Sequence, residues 1–242
     1  MPAPELTPPS ATELLATGEL EVLGRIPWSS NATFFARVTN GDGVALDAVY
    51  KPRRGERPLW DFPSGTLCQR EVATYELSVA LGWDLIPETV LRDGPLGEGM
   101  VQRFVEHDPE EHYFTLLEDH LDRFRCFAVF DVLVNNADRK GGHCLRSLPS
   151  DTIVGIDHGL TFHPAWKLRT VIWDFAGERI APALADAVCR VAQRDPLVTR
   201  RLDPLLSSLE LEAMAERAAD LLTAGTLPDP EPGYHSVPWP LV

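Results

Sequence analysis

Asn135-Asn136-Ala137-Asp138-Arg139-Lys140-Gly141-Gly142-His143-Cys144-Leu145 is the stretch on which the reading of this chain turns. It follows a strongly apolar segment, with Phe124, Phe127, Ala128, Phe130, Asp131, Leu133 and Val134, that reads as a buried helix. Polar residues and glycines packed directly after such a helix predict a loop at the surface. Asp138 is followed by two cations and precedes a β-like step. Its neighbour Arg139 is expected to keep the carboxylate ionised and able to take a proton from a substrate. The plainer alternative is an Asn/Asp turn.

Working outward, the next informative stretch is Ile153-Val154-Gly155-Ile156-Asp157-His158-Gly159-Leu160. An aspartate straight after a buried strand, and just before a glycine step, is costly unless its carboxylate has a purpose. Holding a divalent cation is one such purpose, and capping a turn is the alternative. Upstream, Ala48-Val49-Tyr50-Lys51-Pro52 is an apolar strand closed by a lysine, which either points its ammonium into a cleft or snorkels to water. The helical stretch Gln69 to Glu76 carries Glu71 and Glu76 about 140° apart, so only one of the two can face a cleft. Between two strands, Gly24 to Thr33 places Ser29, Ser30 and Asn31 where their donors could cradle phosphate, or where they merely close a hairpin. A phosphate cradle, a lysine to neutralise phosphate, a metal-binding carboxylate and a proton-accepting aspartate are the parts that phosphoryl transfer needs.

The elements around these residues divide into two kinds. Ser10 and Glu13 predict a short capped helix ending at Gly18. Strands are expected at Leu20 to Ile26, Thr33 to Val38 and Val44 to Tyr50, the last two joined by the turn Asn40-Gly41-Asp42-Gly43. A proline- and glycine-rich loop then leads to a helix over Leu67 to Leu81, stopped by Gly82, and to strands near Glu88 to Leu91 and Met100 to Val105. Past His107-Asp108-Pro109 the pattern becomes mostly helical, with breaks expected at Pro196 and Pro204 and a proline-rich extended segment from Leu227. The expectation is an α+β fold with a small β-rich domain over 1–105 and a larger, mostly helical one over 106–242.

Composition narrows the partners. Lys and Arg number 22 against 36 Asp and Glu, a net charge of −14, which disfavours nucleic acid and anionic lipid surfaces. No run is long and apolar enough to cross a bilayer, and Met1 to Ser10 does not read as a signal peptide. Cys68, Cys126, Cys144 and Cys189 lie far apart without a CxxC pair, as expected of reduced thiols in a cytoplasmic protein. A zinc site from His143, Cys144, His158 and His163 matches no defensible spacing. His107, His112 and His120 read as surface residues, and Phe162, Trp166, Trp173 and Phe175 as packing residues.

Taken together, Ser29-Ser30-Asn31-Ala32-Thr33-Phe34, Val49-Tyr50-Lys51-Pro52, Glu71, Asp138-Arg139 and Ile156-Asp157-His158-Gly159-Leu160-Thr161-Phe162 resemble the phosphatidylinositol 3-/4-kinase superfamily. They are most similar to the type II phosphatidylinositol 4-kinases, with a looser similarity to HipA-type serine kinases. The resemblance implies a two-lobed, protein-kinase-like fold that binds ATP with Mg²⁺ or Mn²⁺. It implies that Ser29, Ser30, Asn31 and Lys51 contact the phosphates, that Glu71 pairs with Lys51, and that Met100 to Val105, with Gln102 and Phe104, meet adenine. Asp138, beside Arg139, becomes the catalytic aspartate and Asp157 a metal ligand. Where the family carries a metal-binding asparagine, five positions after the catalytic aspartate, this chain has His143. Imidazole suits softer ions than Mg²⁺, and an inactive nucleotide-binding scaffold is the competing expectation. A third reading moves AMP instead of phosphate. The stretch Arg53 to Leu67 lacks the acylated cysteines of the lipid kinases, so no stable membrane anchor is expected, and a protein or small polar acceptor is favoured over a bilayer lipid.

Overall fold

The computed structural model describes residues 10–27, 31–148, 150–231 and 235–242. The chain forms two compact units, one from the residues up to Arg57 together with Glu88–Phe104, the other from Pro58–Pro87 together with Val105–Val242. The division after residue 105 read from the sequence lies beside the last of these crossings. The helix expected over 67–81, assigned there to the first domain, falls within the second unit.

The first unit is an antiparallel sheet with one helix on it. Helix α1 (Ala11–Thr17) opens where the Ser10 hydroxyl accepts from the Glu13 amide at 3.2 Å. Strands β1 (Glu19–Arg25), β2 (Phe34–Thr39), β3 (Ala45–Pro52), β4 (Thr89–Gly94) and β5 (Gly97–Arg103) pair in the order β1-β2-β3-β5-β4. The Asn40 side chain closes the β2–β3 turn by accepting from the Asp42 and Val44 amides, and Gly43 takes the left-handed conformation such a tight turn requires. Leu14 and Leu15 of α1 pack with Leu20, Ala36, Val38, Ala48, Tyr50 and Val101 on one sheet face.

Strand periodicity sends the intervening residues to the other face. The register pairs Phe35 with Val49, Val49 with Gln102 and Lys51 with Met100, so Lys51, Met100, Gln102 and Phe104 share that second face. Gly99 has no freedom to be larger, because a Cβ there would stand 2.3 Å from the Lys51 carbonyl oxygen.

The second unit holds α2 (Leu67–Leu81), a single turn α3 (Tyr113–Leu116), α4 (Leu121–Val134), the hairpin β6 (Cys144–Ser147) and β7 (Thr152–Gly155), and α5 (Pro182–Ala192), α6 (Pro196–Leu202) and α7 (Ser208–Ala224). Helix α2 ends as expected at Gly82, in the left-handed conformation that lets its amide reach back to Ser78 and Val79. Pro196 marks the expected break between α5 and α6 and starts the second of them. It sits at the first helical position, where its missing N–H costs nothing, and Asp195 caps the next turn by accepting from the Leu197 amide at 2.7 Å. Helix α4 is buried nearly all round, and Phe124, Phe127, Phe130 and Leu133 form the centre of the core with Tyr113 edge-on to Phe124 at 4.9 Å. Among the described residues, no helix is long and apolar enough to cross a membrane.

Candidate functional site

Helix α4 ends at Asn135, whose left-handed backbone (φ 51°) turns the chain out of the helix. The Asn135 side chain is wholly buried and works as a clamp. Its amide donates to the carbonyls of His163 and Ala165 at 2.8 Å each, and its oxygen accepts from the Lys167 amide at 2.8 Å. Asn136 donates to Asp131 and accepts from the Asp138 amide, each at 3.0 Å.

Below the loop lies a charge pair that the sequence only hinted at. Asp131 and Arg139 are both fully buried and 2.9 Å apart. Asp131 also accepts from the Thr170 hydroxyl at 3.1 Å, and the Arg139 guanidinium lies 2.6 Å from His158 Nε2 and 5.2 Å from the centre of the Phe127 ring. Two buried charges survive only with their remaining hydrogen-bonding capacity satisfied, and here the neighbours supply it.

With Arg139 pointing inward, its neighbours on either side point the other way. Lys140 Nζ stands 2.8 Å from Asp138 Oδ2. The structure therefore corrects the expectation that Arg139 supplies the charge beside Asp138: Arg139 is committed to Asp131, and Lys140 takes that place. Burial pushes the Asp138 carboxyl above its ordinary value, Lys140 and Arg169 oppose that, and the nearby Asp157 adds to it.

Asp157 follows β7 with a left-handed backbone (φ 60°) and a half-exposed side chain. The β6–β7 hairpin brings it to His143, since the Ile156 amide donates to the His143 carbonyl at 3.0 Å. His143 Nε2 then lies 3.5 Å from Asp157 Oδ2. The next amide, of His158, donates to Glu71 Oε2 at 2.8 Å. Of the two carboxylates on α2, Glu71 is thus the one turned toward the Asp157-His158-Gly159 segment, while Glu76 pairs with Arg201. Asp138, Lys140, His143, Asp157 and Glu71 all belong to the second unit. No group of three or more His, Cys, Asp and Glu suited to a metal occurs among the described residues, and burial pushes the Cys144 thiol up to about 12, which makes it a poor zinc ligand.

The remaining sequence-derived residues lie in the first unit or outside the described residues. Ser29 and Ser30 are outside them. Asn31 accepts from the Arg57 amide at 3.0 Å, so its side chain braces the β3-to-α2 connection. Lys51 is half-buried on the sheet face opposite α1. Gln102 is buried and donates to the Thr89 hydroxyl at 2.8 Å, and the Phe104 amide donates to the Asp47 carbonyl at 2.9 Å while its ring stands edge-on to Phe35. Both residues are thereby engaged within their own sheet. Sequence reasoning passed over Lys140 and Asp131. The signals were present: an acidic residue inside an apolar helix, and a lysine two places from an aspartate, where an extended backbone sets both on one side.

Three-dimensional comparison gives the class. The chain superposes on hydra Fam20 solved with sugar (TM-score 0.59, 13% identity, 88% of this chain and 86% of that one). It matches the Golgi casein kinase with Mn and ADP bound (0.55, 14%, 87% and 73%) and the Helicobacter pylori proinflammatory kinase CtkA (0.53, 13%, 88% and 94%). The fold is α+β and protein-kinase-like, an antiparallel sheet followed by a mostly helical region. The chain belongs to the same family as Protein Rv2133c of Mycobacterium tuberculosis, with which it shares 42% identity over 264 aligned positions, 94% of each chain. No protein-family model matches it.

Proposed function

We propose that this chain is an ATP-dependent phosphotransferase that moves the γ-phosphoryl group to a hydroxyl on a protein or small polar acceptor. The supporting observation is the pair of close contacts flanking one loop: Asp138 with Lys140 at 2.8 Å, and Asp157 with His143 at 3.5 Å. In this reading Asp138, raised by burial, orients the acceptor hydroxyl and accepts its proton, while Lys140 stands ready to balance charge that develops on the transferred group. Asp157 and His143 would hold a divalent cation, which supplies charge neutralisation to the phosphates. One carboxylate and one imidazole form a donor set that suits Mn²⁺ better than Mg²⁺. Mn and ADP are bound in the Golgi casein kinase that shares this fold. Lys51 meets the phosphates, and Met100 to Val105 meets adenine. Glu71 supports the Asp157 segment through the His158 amide.

Within the kinase-like fold, the motifs ally the chain with the phosphatidylinositol 3-/4-kinase superfamily and more loosely with HipA-type kinases. The net charge of −14 supports a non-lipid acceptor, and the four dispersed cysteines support a cytoplasmic setting. His143, in place of asparagine, supports a second reading, a nucleotide-binding scaffold without turnover.

Incubation with γ-labelled and α-labelled ATP, with Mn²⁺ and Mg²⁺ in parallel, separates these readings. Transfer of the γ label, faster with Mn²⁺ and lost in Asp138→Ala, is the expected result. Transfer of the α label would mean AMP transfer. Saturable nucleotide binding without transfer of either label would leave the scaffold.

A further inference from the structure

Residues 235–242 lie along the loop that carries Asp138 and Lys140. The Ser236 carbonyl accepts from the Thr170 amide at 3.1 Å and from Trp173 Nε1 at 3.0 Å. The Leu241 carbonyl accepts from the Gly141 amide at 2.6 Å. Thr170 itself bridges to Arg139 in a short parallel pairing, so the segment starts on one side of the Asp138–Lys140 turn and finishes on the other. At the finish the fit is close. A Cβ on Gly141 would lie 3.3 Å from the Leu241 oxygen, and one on Gly142 would lie 3.7 Å from Val242 Cγ1.

The way the segment is held is unusual for a structural element. Two of its anchoring groups are the main-chain carbonyls of Ser236 and Leu241. Its side chains alternate: Val237, Trp239, Leu241 and Val242 remain between 39% and 87% exposed, while Ser236 and Pro238 are buried. A segment with few buried apolar contacts and main-chain hydrogen bonds near water belongs to the low-stability end of a fold, and opens readily. The Gly141 amide, three residues after Asp138, is engaged by this segment.

We propose that residues 235–242 are a removable strap that occupies the path of the acceptor, and that the acceptor is an extended polypeptide which displaces the strap by making the same main-chain hydrogen bonds. The proposal rests on the phosphotransferase reading for the word acceptor, but its test does not need turnover.

The experiment uses a chain ending at Tyr234 and a fluorescein-labelled peptide of residues 235–242. The peptide is expected to bind the shortened chain saturably and the full chain at least about ten-fold more weakly. Reduced, carboxymethylated lactalbumin, an unfolded polypeptide, is expected to displace it. Equal binding to both chains, no binding to the shortened chain, or failure of the unfolded polypeptide to compete would each overturn the strap.

A full-length double variant, Gly142→Cys with Val242→Cys, covers the case in which the shortened chain does not fold. Oxidised to the cross-link, it is expected to bind the unfolded polypeptide at least about ten-fold more weakly than after reduction, and equal binding in the two states would sink the idea. Should labelled ATP show no transfer in any chain, the phosphotransferase reading fails while these binding results still decide the strap. Where transfer does occur, it is expected to be faster in the shortened chain, and slower transfer there would count against the proposal.

Discussion

At the scale of single residues, the second unit depends on charges that are either fully satisfied or deliberately strained. Asp131 and Arg139 are the first kind. Replacing Asp131 with Ala leaves a guanidinium buried beside Phe127 without its carboxylate, and removing one partner of such a pair costs about 3–5 kcal/mol. Urea unfolding of Asp131→Ala should show a loss of that size with an unchanged m-value.

Asp138 is the second kind. Its carboxyl is held above the ordinary value by burial, and Lys140 pulls it back down. A proton acceptor works only when ionised, so turnover falls as pH drops through this group's pKa. Lys140→Met removes the lowering influence, and the acid limb of the pH–rate profile should therefore move to higher pH. A Lys140→Met profile superimposable on that of the parent, after scaling, would show that Lys140 does not act on Asp138.

Among the elements, α2 is tied into the second unit by Ala73, Tyr75, Leu77, Ala80 and Leu81 in the core and also by its charged residues. Arg70 is buried against Glu210 at the start of α7 and donates to the Thr161 carbonyl at 2.5 Å, and Arg201 holds Glu76. Burial tends to raise the Glu210 carboxyl, but the Ser207 amide and hydroxyl together with Arg70 hold it below the ordinary value of 4.5. The sign of the pH effect follows. A carboxyl depressed in the folded state adds stability above pH 4.5, and that stability is lost as the pH falls through the folded value. Glu210→Gln should destabilise the protein at pH 7 by about 3 kcal/mol, since Arg70 stays buried, and should flatten the loss of stability below pH 4.5. Thermal unfolding followed from pH 7 to pH 3 measures both effects.

The same scale shows where sequence patterns were sufficient. The extent of α2, the stop at Gly82 and the Asn40–Gly43 turn were all legible, because each depends on neighbours along the chain. The breaks at Pro196 and Pro204 were legible as well: α5 ends at Ala192, α6 covers Pro196–Leu202 and α7 begins at Ser208.

At the scale of the molecule, the expectations for nucleotide binding are distributed over both compact units: Lys51 belongs to the first, and Asp138 and Asp157 to the second. If Lys51 meets phosphate, Lys51→Ala should weaken Mn-ATP binding at least about ten-fold, the loss of one charge-assisted hydrogen bond in a partly desolvated site. Isothermal titration on the full chain reads this directly, and unchanged affinity would remove Lys51 from the proposed site.

The sequence by itself determined the α+β character, the order of the elements and the two short stretches around Asp138 and Asp157, since helix, strand and turn signals are local and these stretches combine them with chemistry that needs explaining. Tertiary structure alone decided which cation serves which aspartate. Arg139 and Lys140 are adjacent and equally charged on paper, but an extended backbone sends them to opposite sides. The buried Asp131, brought near by the end of α4, takes the arginine and leaves the lysine to Asp138. Such a choice is made by distance in space and by the cost of burying charge, and neither is written in the order of residues.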